Sequence, residues 1–281
     1  MILPKPKLEP TFQPLVYSLP LIEQMEIFDH LTKRFVKFKL WPKQIQMLEL
    51  IHRNEDVIIL KKRQVGASQL CGADSLVQIM SQENWVNLVI SVAVDDAKEY
   101  LARICQMFER LPKQMKKAYP IKFSATEAWS PWDSRIIVVP ARKGFGYTAN
   151  RVTIDEAGKI NPKRSNVDLD TVMMNIGATI DKTDGQILMV STAEGMNEFH
   201  KRYMEAKRGK PRTHSLFFGC YDDPTFTESK RVELVSKHGE NHVNQEYPRT
   251  DLEAFLSSGT PRFNLKLLSD YYTPLAPKTC V

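Results

Sequence analysis

Two short stretches hold residue types that could act on a phosphate ester. The first is Asp56-Val57-Ile58-Ile59-Leu60-Lys61-Lys62-Arg63-Gln64-Val65-Gly66-Ala67-Ser68, an apolar strand, a basic turn and the start of a helix. Gly66 lets backbone approach a ligand closely. Ser68 can cap the helix and offer its hydroxyl to a magnesium ion. The N–H groups at that helix start would face phosphate oxygens, aided by the helix dipole. The second stretch, Arg151-Val152-Thr153-Ile154-Asp155-Glu156-Ala157, is an apolar strand ending in two adjacent carboxylates. One carboxylate can hold magnesium while the next orients or deprotonates a water. Each stretch also has a purely structural reading: a basic turn without a ligand, and Asp155 as a helix cap with Glu156 solvated.

The match to the phosphate-loop pattern G-x-x-x-x-G-K-[ST] is partial. Gly66 and Ser68 fit, but Ala67 stands at the lysine and Lys61 at the first glycine. A compact ammonium on a flexible stem can serve from either end of such a loop, so Lys61 or Lys62 can supply the missing cation. A third stretch, Ser191-Thr192-Ala193, places small hydroxyl residues after the apolar run Gln186 to Val190. Taken alone it is turn chemistry.

The elements that must position these residues follow from periodicity. Val57–Leu60, Val86–Val92, Arg135–Val139, Arg151–Ile154, Gln186–Val190 and His214–Gly219 read as strands. Helices are expected over Leu21–Phe38, Pro42–Ile51, Ser68–Met80, Asp95–Arg110, Asn166–Ile176, Met196–Arg208 and Thr227–Tyr247. Met1–Pro20 carries five prolines and reads as an extended arm, and Lys113–Trp132 as irregular. Alternation of strand and helix implies an α/β fold, a parallel sheet with right-handed crossovers and helices on both faces. In such a sheet the carboxyl ends of the strands share one edge, where ligands bind, so the three stretches should converge.

Composition bounds the rest. The chain has 281 residues, 42% hydrophobic and 26% charged, enough for one large domain, or one domain plus an appendage, with a sizeable core. No apolar run approaches the roughly 18 residues that cross a bilayer, and the N-terminus lacks signal-peptide architecture. The four cysteines form no C-x-x-C pair, so neither a zinc site nor a disulfide framework is indicated and a reducing cytosol is the expected setting. A net charge of +6 permits a polyanionic partner. Basic residues gather at Lys113, Lys116 and Lys117; at Lys159, Lys163 and Arg164; and most densely at Lys201, Arg202, Lys207, Arg208, Lys210 and Arg212.

As a set, these motifs resemble the ATPase half of a large terminase subunit, the DNA-packaging motor of tailed bacteriophages. Lys61-Lys62-Arg63-Gln64-Val65-Gly66-Ala67-Ser68 resembles that family's deviant Walker A motif, with lysine moved to the front of the loop. Val152-Thr153-Ile154-Asp155-Glu156-Ala157 resembles its Walker B motif with the catalytic glutamate, and Ser191-Thr192-Ala193 its coupling motif. Trp41-Pro42-Lys43-Gln44 resembles its adenine-recognising segment, and Glu246 to Phe255 with Ser258-Gly259 the stretch that closes the ATPase region. The resemblance covers residues 21 to 264.

The resemblance implies a P-loop NTPase core of the ASCE, RecA-like type over residues 41–260. An arm and leading helix over 1–40 would precede it, and a tail over 261–281 would stand where a nuclease domain begins. It implies ATP and Mg2+ as cofactors, with Gln44 reading the base and Lys61 or Lys62 on the phosphates. Ser68 and Asp155 would hold the metal, Glu156 would activate water, and Ser191 and Thr192 would sense the γ-phosphate. An arginine finger would act in cis from Arg63 or in trans. The family's trans position falls on Phe145 here, with Arg142 and Lys143 nearby as substitutes. The partners implied are double-stranded DNA gripped without sequence preference, a portal and procapsid, and a small terminase subunit. A pentameric ring when assembled, a monomer in isolation and the cytoplasm of an infected bacterium complete the expectation, with no nuclease activity. The rival readings are a superfamily 2 helicase-like ATPase and a non-hydrolysing DNA-binding protein with a degenerate phosphate loop.

Overall fold

Runs such as Val57 to Leu60 and Ile136 to Val139 are apolar at every position, so each needs cover on both faces. The computed structural model describes residues 14–29, 32–143 and 146–258. Helix α1 (Pro14–Ile22) leads into a hairpin of β1 (Glu26–Asp29) and β2 (Arg34–Lys37), followed by α2 (Pro42–Ile51). Then come β3 (Asp56–Lys61), α3 (Ala67–Ser81), β4 (Val86–Ser91), α4 (Val94–Glu109), α5 (Lys113–Ala118), β5 (Lys122–Phe123), β6 (Glu127–Trp129) and β7 (Arg135–Pro140). After these run β8 (Arg151–Asp155), α6 (Pro162–Ser165), α7 (Leu169–Ile180), β9 (Gln186–Ser191), α8 (Glu198–Lys207) and β10 (Thr213–Phe218). The last described elements are α9 (Glu228–His238), α10 (Glu240–Glu246) and α11 (Asp251–Ser257).

The main sheet has 8 strands in the order β10-β3-β9-β8-β4-β7-β6-β5. Pairing is parallel from β10 through β7, and β6 and β5 add on antiparallel at one edge. Alternate residues of each parallel strand feed opposite cores. Val57, Ile59 and Val89 join Leu48, Leu70 and Ile104 from α2, α3 and α4. Ile58, Leu60 and Ile90 join Val172, Phe199 and Phe255 from α7, α8 and α11. The α/β class with helices on both faces, read from the alternation, is the class observed.

The edge of the sheet remote from the carboxylates is pinned by a buried polar network. Arg151 Nη1 donates to Asp74 Oδ2 at 2.6 Å and Arg151 Nε to Gln186 Oε1 at 2.8 Å. His52 Nε2 lies 2.7 Å from the other Asp74 oxygen, and Gln186 Nε2 donates 2.8 Å to the Ile51 carbonyl. Helices α2 and α3 are thereby fixed to β8 and β9.

Four local expectations fail. The helix expected over Leu21–Phe38 is largely the β1–β2 hairpin, in which Phe28 faces Phe35 and Glu26 faces Lys37. Alternating β-branched and aromatic residues, a cross-strand Glu26–Lys37 ion pair at 3.4 Å and a left-handed Lys33 (φ 54) outweigh the helical periodicity. Residues 14–22 of the expected arm form α1, while residues 1–13 and 259–281 lie outside the described residues. The long helix expected over Thr227–Tyr247 breaks at Gly239, whose φ of 81 is left-handed. The stretch Lys113–Trp132 holds one short helix and two short strands. Among the described residues, no helix is long and apolar enough to cross a membrane.

Candidate active site

Because β3, β9 and β8 are adjacent, the loop after Lys61, the segment at Ser191 and the turn after Asp155 finish side by side. The register sets their depth: Leu60 pairs with Ser191, and Asp155 with Val190. A cleft of about 1410 Å³ opens over this edge. Its walls include the β1–β2 hairpin, Trp41, the loop from Gln64 to Gln69, part of α4, Asp155 with Glu156, and Phe226 with Tyr247.

The loop is shaped by two left-handed residues, Gln64 (φ 56) and Gly66 (φ 73). Only glycine suits position 66, because a Cβ there would also meet Gln44 Nε2 at 3.0 Å. Gly66 heads the 15-residue helix α3 with no side-chain cap, which leaves the positive end of the helix dipole facing the cleft. Gln44 sits beneath the loop, 2% exposed. Its Oε1 accepts from the Trp41 N–H at 2.9 Å, and its Nε2 donates to the Val65 carbonyl at 3.0 Å. In this arrangement Gln44 spends its amide on the shape of the loop.

Ser68 Oγ donates to Asp155 Oδ1 at 2.6 Å. Burial pushes the Asp155 carboxyl up and neighbouring Glu156 adds to the push, against the pull of Lys61, Ser68 and Arg103. Arg103 Nη2, on α4, stands 4.0 Å from Asp155 Oδ2. The site therefore offers hard oxygen donors beside a buried carboxylate short of countercharge, which is the chemistry that suits Mg2+. Among the described residues, no group of three or more His, Cys, Asp or Glu could form an all-protein metal cage. A magnesium ion here would take Ser68 and Asp155 and complete its shell with phosphate oxygens and water.

Glu156 occupies a left-handed position, φ 53, which is costly for a residue with a Cβ and holds its carboxylate over the cleft. Lys61 Nζ meets its Oε1 at 2.9 Å and Lys159 Nζ its Oε2 at 2.9 Å. Burial raises the carboxyl, but the two ammonium groups outweigh that and hold it at about 2.

Lys62 turns away from Glu156. Its Nζ donates to Asp223 Oδ2 at 2.7 Å and lies 5.4 Å from the Phe226 ring centroid and 5.7 Å from that of Tyr247. Arg63 is ion-paired with Glu246 and 56% exposed, and it does not line the cleft. Its N–H donates to the Glu246 carbonyl at 3.1 Å. Arg142 is exposed in the 3-10 turn Ala141–Lys143 after β7, two strands beyond β8 and outside the cleft. Phe145 lies outside the described residues.

Ser191 and Thr192 are buried and do not line the cleft. Ser191 Oγ accepts from the Gly158 N–H at 2.9 Å, and Asn197 Nδ2 donates to the Gly158 carbonyl at 2.7 Å. They grip the turn that carries Glu156, so any response to a phosphate would pass through Gly158. A Cβ at Gly158 would lie 2.9 Å from Ser191 Oγ and 3.0 Å from the Thr192 carbonyl.

Three polar residues at the site escaped the sequence reading of it: Arg103, Lys159 and Asp223. Lys159 had a legible signal, three residues past a carboxylate, one 3-10 turn away. Arg103 and Asp223 had none, since only the tertiary fold brings them in. The densest basic cluster is largely neutralised. Lys201, Arg202, Lys207, Lys210 and Arg212 pair with Glu198, Asp170, Asp251, Glu205 and Asp184.

A parallel sheet with a phosphate-type loop after one strand and paired carboxylates two strands away defines the P-loop NTPase fold, and this chain has it. Solved structures it resembles include bacteriophage large terminases. The ATPase domain of the Thermus phage P74-26 large terminase matches with a TM-score of 0.62 at 18% identity, over 75% of this chain and 93% of that one. The HK97 bacteriophage large terminase matches with a TM-score of 0.59 at 15% identity, over 86% of this chain and 50% of that one. A thermophilic bacteriophage's large terminase in complex with ADP matches with a TM-score of 0.57 at 9% identity, over 75% of this chain and 53% of that one. No family model and no curated protein matches the chain.

Proposed function

We propose that the protein is the ATP-hydrolysing motor domain of a viral DNA-packaging terminase, acting on double-stranded DNA in an infected bacterial cell. The observation that carries the reading is the meeting, in one cleft, of the Ser68–Asp155 pair, the Lys61–Glu156 pair and an uncapped helix head. The fold shared with terminase ATPase domains supports it, as do related structures in complex with ADP and with ATP-gamma-S.

In this reading the loop N–H groups and Lys61 bind the β- and γ-phosphates of ATP. Ser68 and Asp155 would hold magnesium, which when bound would supply positive charge beside the phosphates. Glu156 orients a water and takes its proton as the oxygen attacks the γ-phosphorus. The bond to the bridging oxygen breaks, and ADP leaves with the electron pair. An arginine at the transition state is typically worth about 10³ to 10⁵ in rate. Arg63 can serve in cis once it leaves Glu246, or Arg142 in trans on a neighbouring subunit. Ser191 would pass a movement of the Glu156 turn into β9. The remaining partners in this reading are a portal and procapsid, a small terminase subunit and further copies in a ring.

The test is magnesium-dependent ATP turnover with and without duplex DNA of unrelated sequences. The account expects stimulation by all of them, falling with salt at a slope of about −0.9 per neutralised phosphate. Absence of turnover under every condition would favour the non-hydrolysing DNA-binding reading, and strand displacement would favour the helicase.

A further inference from the structure

Both oxygens of Glu156 are ion-paired with lysines, Oε1 through a hydrogen bond from Lys61 and Oε2 through charge contact with Lys159, and the two lysines are held differently. Lys61 ends β3 and opens the phosphate-type loop, so an incoming triphosphate competes directly for its ammonium. Lys159 closes the 3-10 turn Ala157–Lys159, whose cap is Glu156 itself. The Lys159 N–H donates to the Glu156 carbonyl at 2.8 Å, and its Nζ meets Glu156 Oε2 at 2.9 Å. Backbone and side chain thus bind the same residue from one turn. That turn is in turn fastened to β9 and to the segment after it through both backbone groups of Gly158. Lys159 also lines the cleft, with 25% of its side chain exposed.

We propose that Lys159 is a positioning residue for hydrolysis: it keeps Oε2 of Glu156 in place while Lys61 moves to phosphate, so that Oε1 alone is presented to the attacking water. This deepens the ATPase reading and rests on it. The chemical step is unchanged: the water oxygen bonds to the γ-phosphorus, its proton goes to Glu156 Oε1, and the bridging oxygen departs with ADP. Lys159 takes and gives no proton. Its work is mechanical, because Glu156 hangs from a left-handed backbone position and its carboxylate is ion-paired with the two lysines. The same attachment joins the aim of the base to β9, since the turn that carries Lys159 is bonded to Ser191.

The experiment uses the full chain with Lys159→Met, which keeps the apolar stem and deletes the charge, and with Lys159→Arg, which restores a cation. Turnover is measured against ATP concentration, and nucleotide affinity separately by titration with a fluorescent ATP analogue. Misplacing a reacting group by about 1 Å can cost roughly 10²-fold. Accordingly, Lys159→Met should lower kcat by about 10- to 100-fold. KM and analogue affinity should stay near wild type, and Lys159→Arg should recover a substantial part of kcat. A structural role alone would not produce that split or that rescue. A second measurement reads the pair without turnover: acylation of surface lysines, followed by mass spectrometry, in the presence of magnesium and a non-hydrolysable ATP analogue. Lys159 should be protected in wild type and reactive in Glu156→Ala, which removes both carboxylate oxygens. An unchanged or increased kcat in Lys159→Met, or equal labelling in both proteins, overturns the proposal while leaving the ATPase reading intact. Absence of turnover in the wild type overturns both.

Discussion

Lys61 and Lys62 are equivalent on paper, and the structure gives them different partners, Glu156 and Asp223. Replacing Lys62 by Met removes the partner of Asp223 and a cation set between Phe226 and Tyr247. Breaking a buried ion pair by deleting one member typically costs about 3–5 kcal/mol. Asp223 keeps two other donors, the Thr225 N–H at 2.8 Å and the Thr225 hydroxyl at 2.6 Å, so the lower end applies. A loss of about 3 kcal/mol at roughly 2–4 °C per kcal/mol for a chain of this size predicts a fall in Tm of about 6–12 °C. Replacing Lys61 by Met leaves Glu156 paired with Lys159, so Tm should move little. The variant loses a charge-assisted contact worth about 1.5–3 kcal/mol to phosphate, which is roughly 10- to 100-fold in ATP affinity. Calorimetric unfolding and titration with a fluorescent ATP analogue, run on both variants, check the pair. The reverse pattern, with Lys62→Met binding ATP poorly at unchanged Tm and Lys61→Met unfolding early, would refute the assignment.

Two further outcomes follow from the same geometry. Gly158→Ala places a Cβ against Ser191 Oγ and the Thr192 carbonyl, so the turn bearing Glu156 must shift; steady-state kinetics should show kcat reduced by about 10-fold or more with KM near wild type. Asp74 is buried, which raises its carboxyl, but Arg151 and His52 overcome that and hold it well below the ordinary carboxylate range. A depressed folded-state pKa supplies stability that is complete above the unfolded value of about 3.9 and drains away as pH falls through the folded one. Asp74→Asn should therefore cost about 3–5 kcal/mol at pH 7, and its Tm deficit against wild type should narrow below about pH 4.

The parts of the fold legible in the sequence were those in which local chemistry and tertiary demand agree. Ile58 and Leu60 could only be a strand buried on both sides, and Gly66 and Ser68 could only follow it as a turn and a helix head. Alternation of strands and helices then placed Asp155 beside Ser68 without a single long-range contact being known. What stayed illegible depended on partners far away in the chain. The pairing of Lys62 with Asp223, 161 residues on, has no local signal. The hydrogen bond from the Gly158 N–H to Ser191 Oγ has none either. Residues 26–37 satisfy a helical period and a strand period at once, and cross-strand pairing decides between them. The cluster from Lys201 to Arg212 reads as a charged surface only while the carboxylates that face it are unknown.

The central claim is that Glu156 activates water for ATP hydrolysis, and Glu156→Gln tests it most directly. The amide preserves shape and can still accept from Lys61 or Lys159, but it cannot take a proton. ATP turnover and binding of a fluorescent ATP analogue should be measured on the same preparation. The account predicts analogue binding close to wild type and turnover lower by about 10²- to 10⁴-fold. Turnover at the wild-type rate in Glu156→Gln would contradict it.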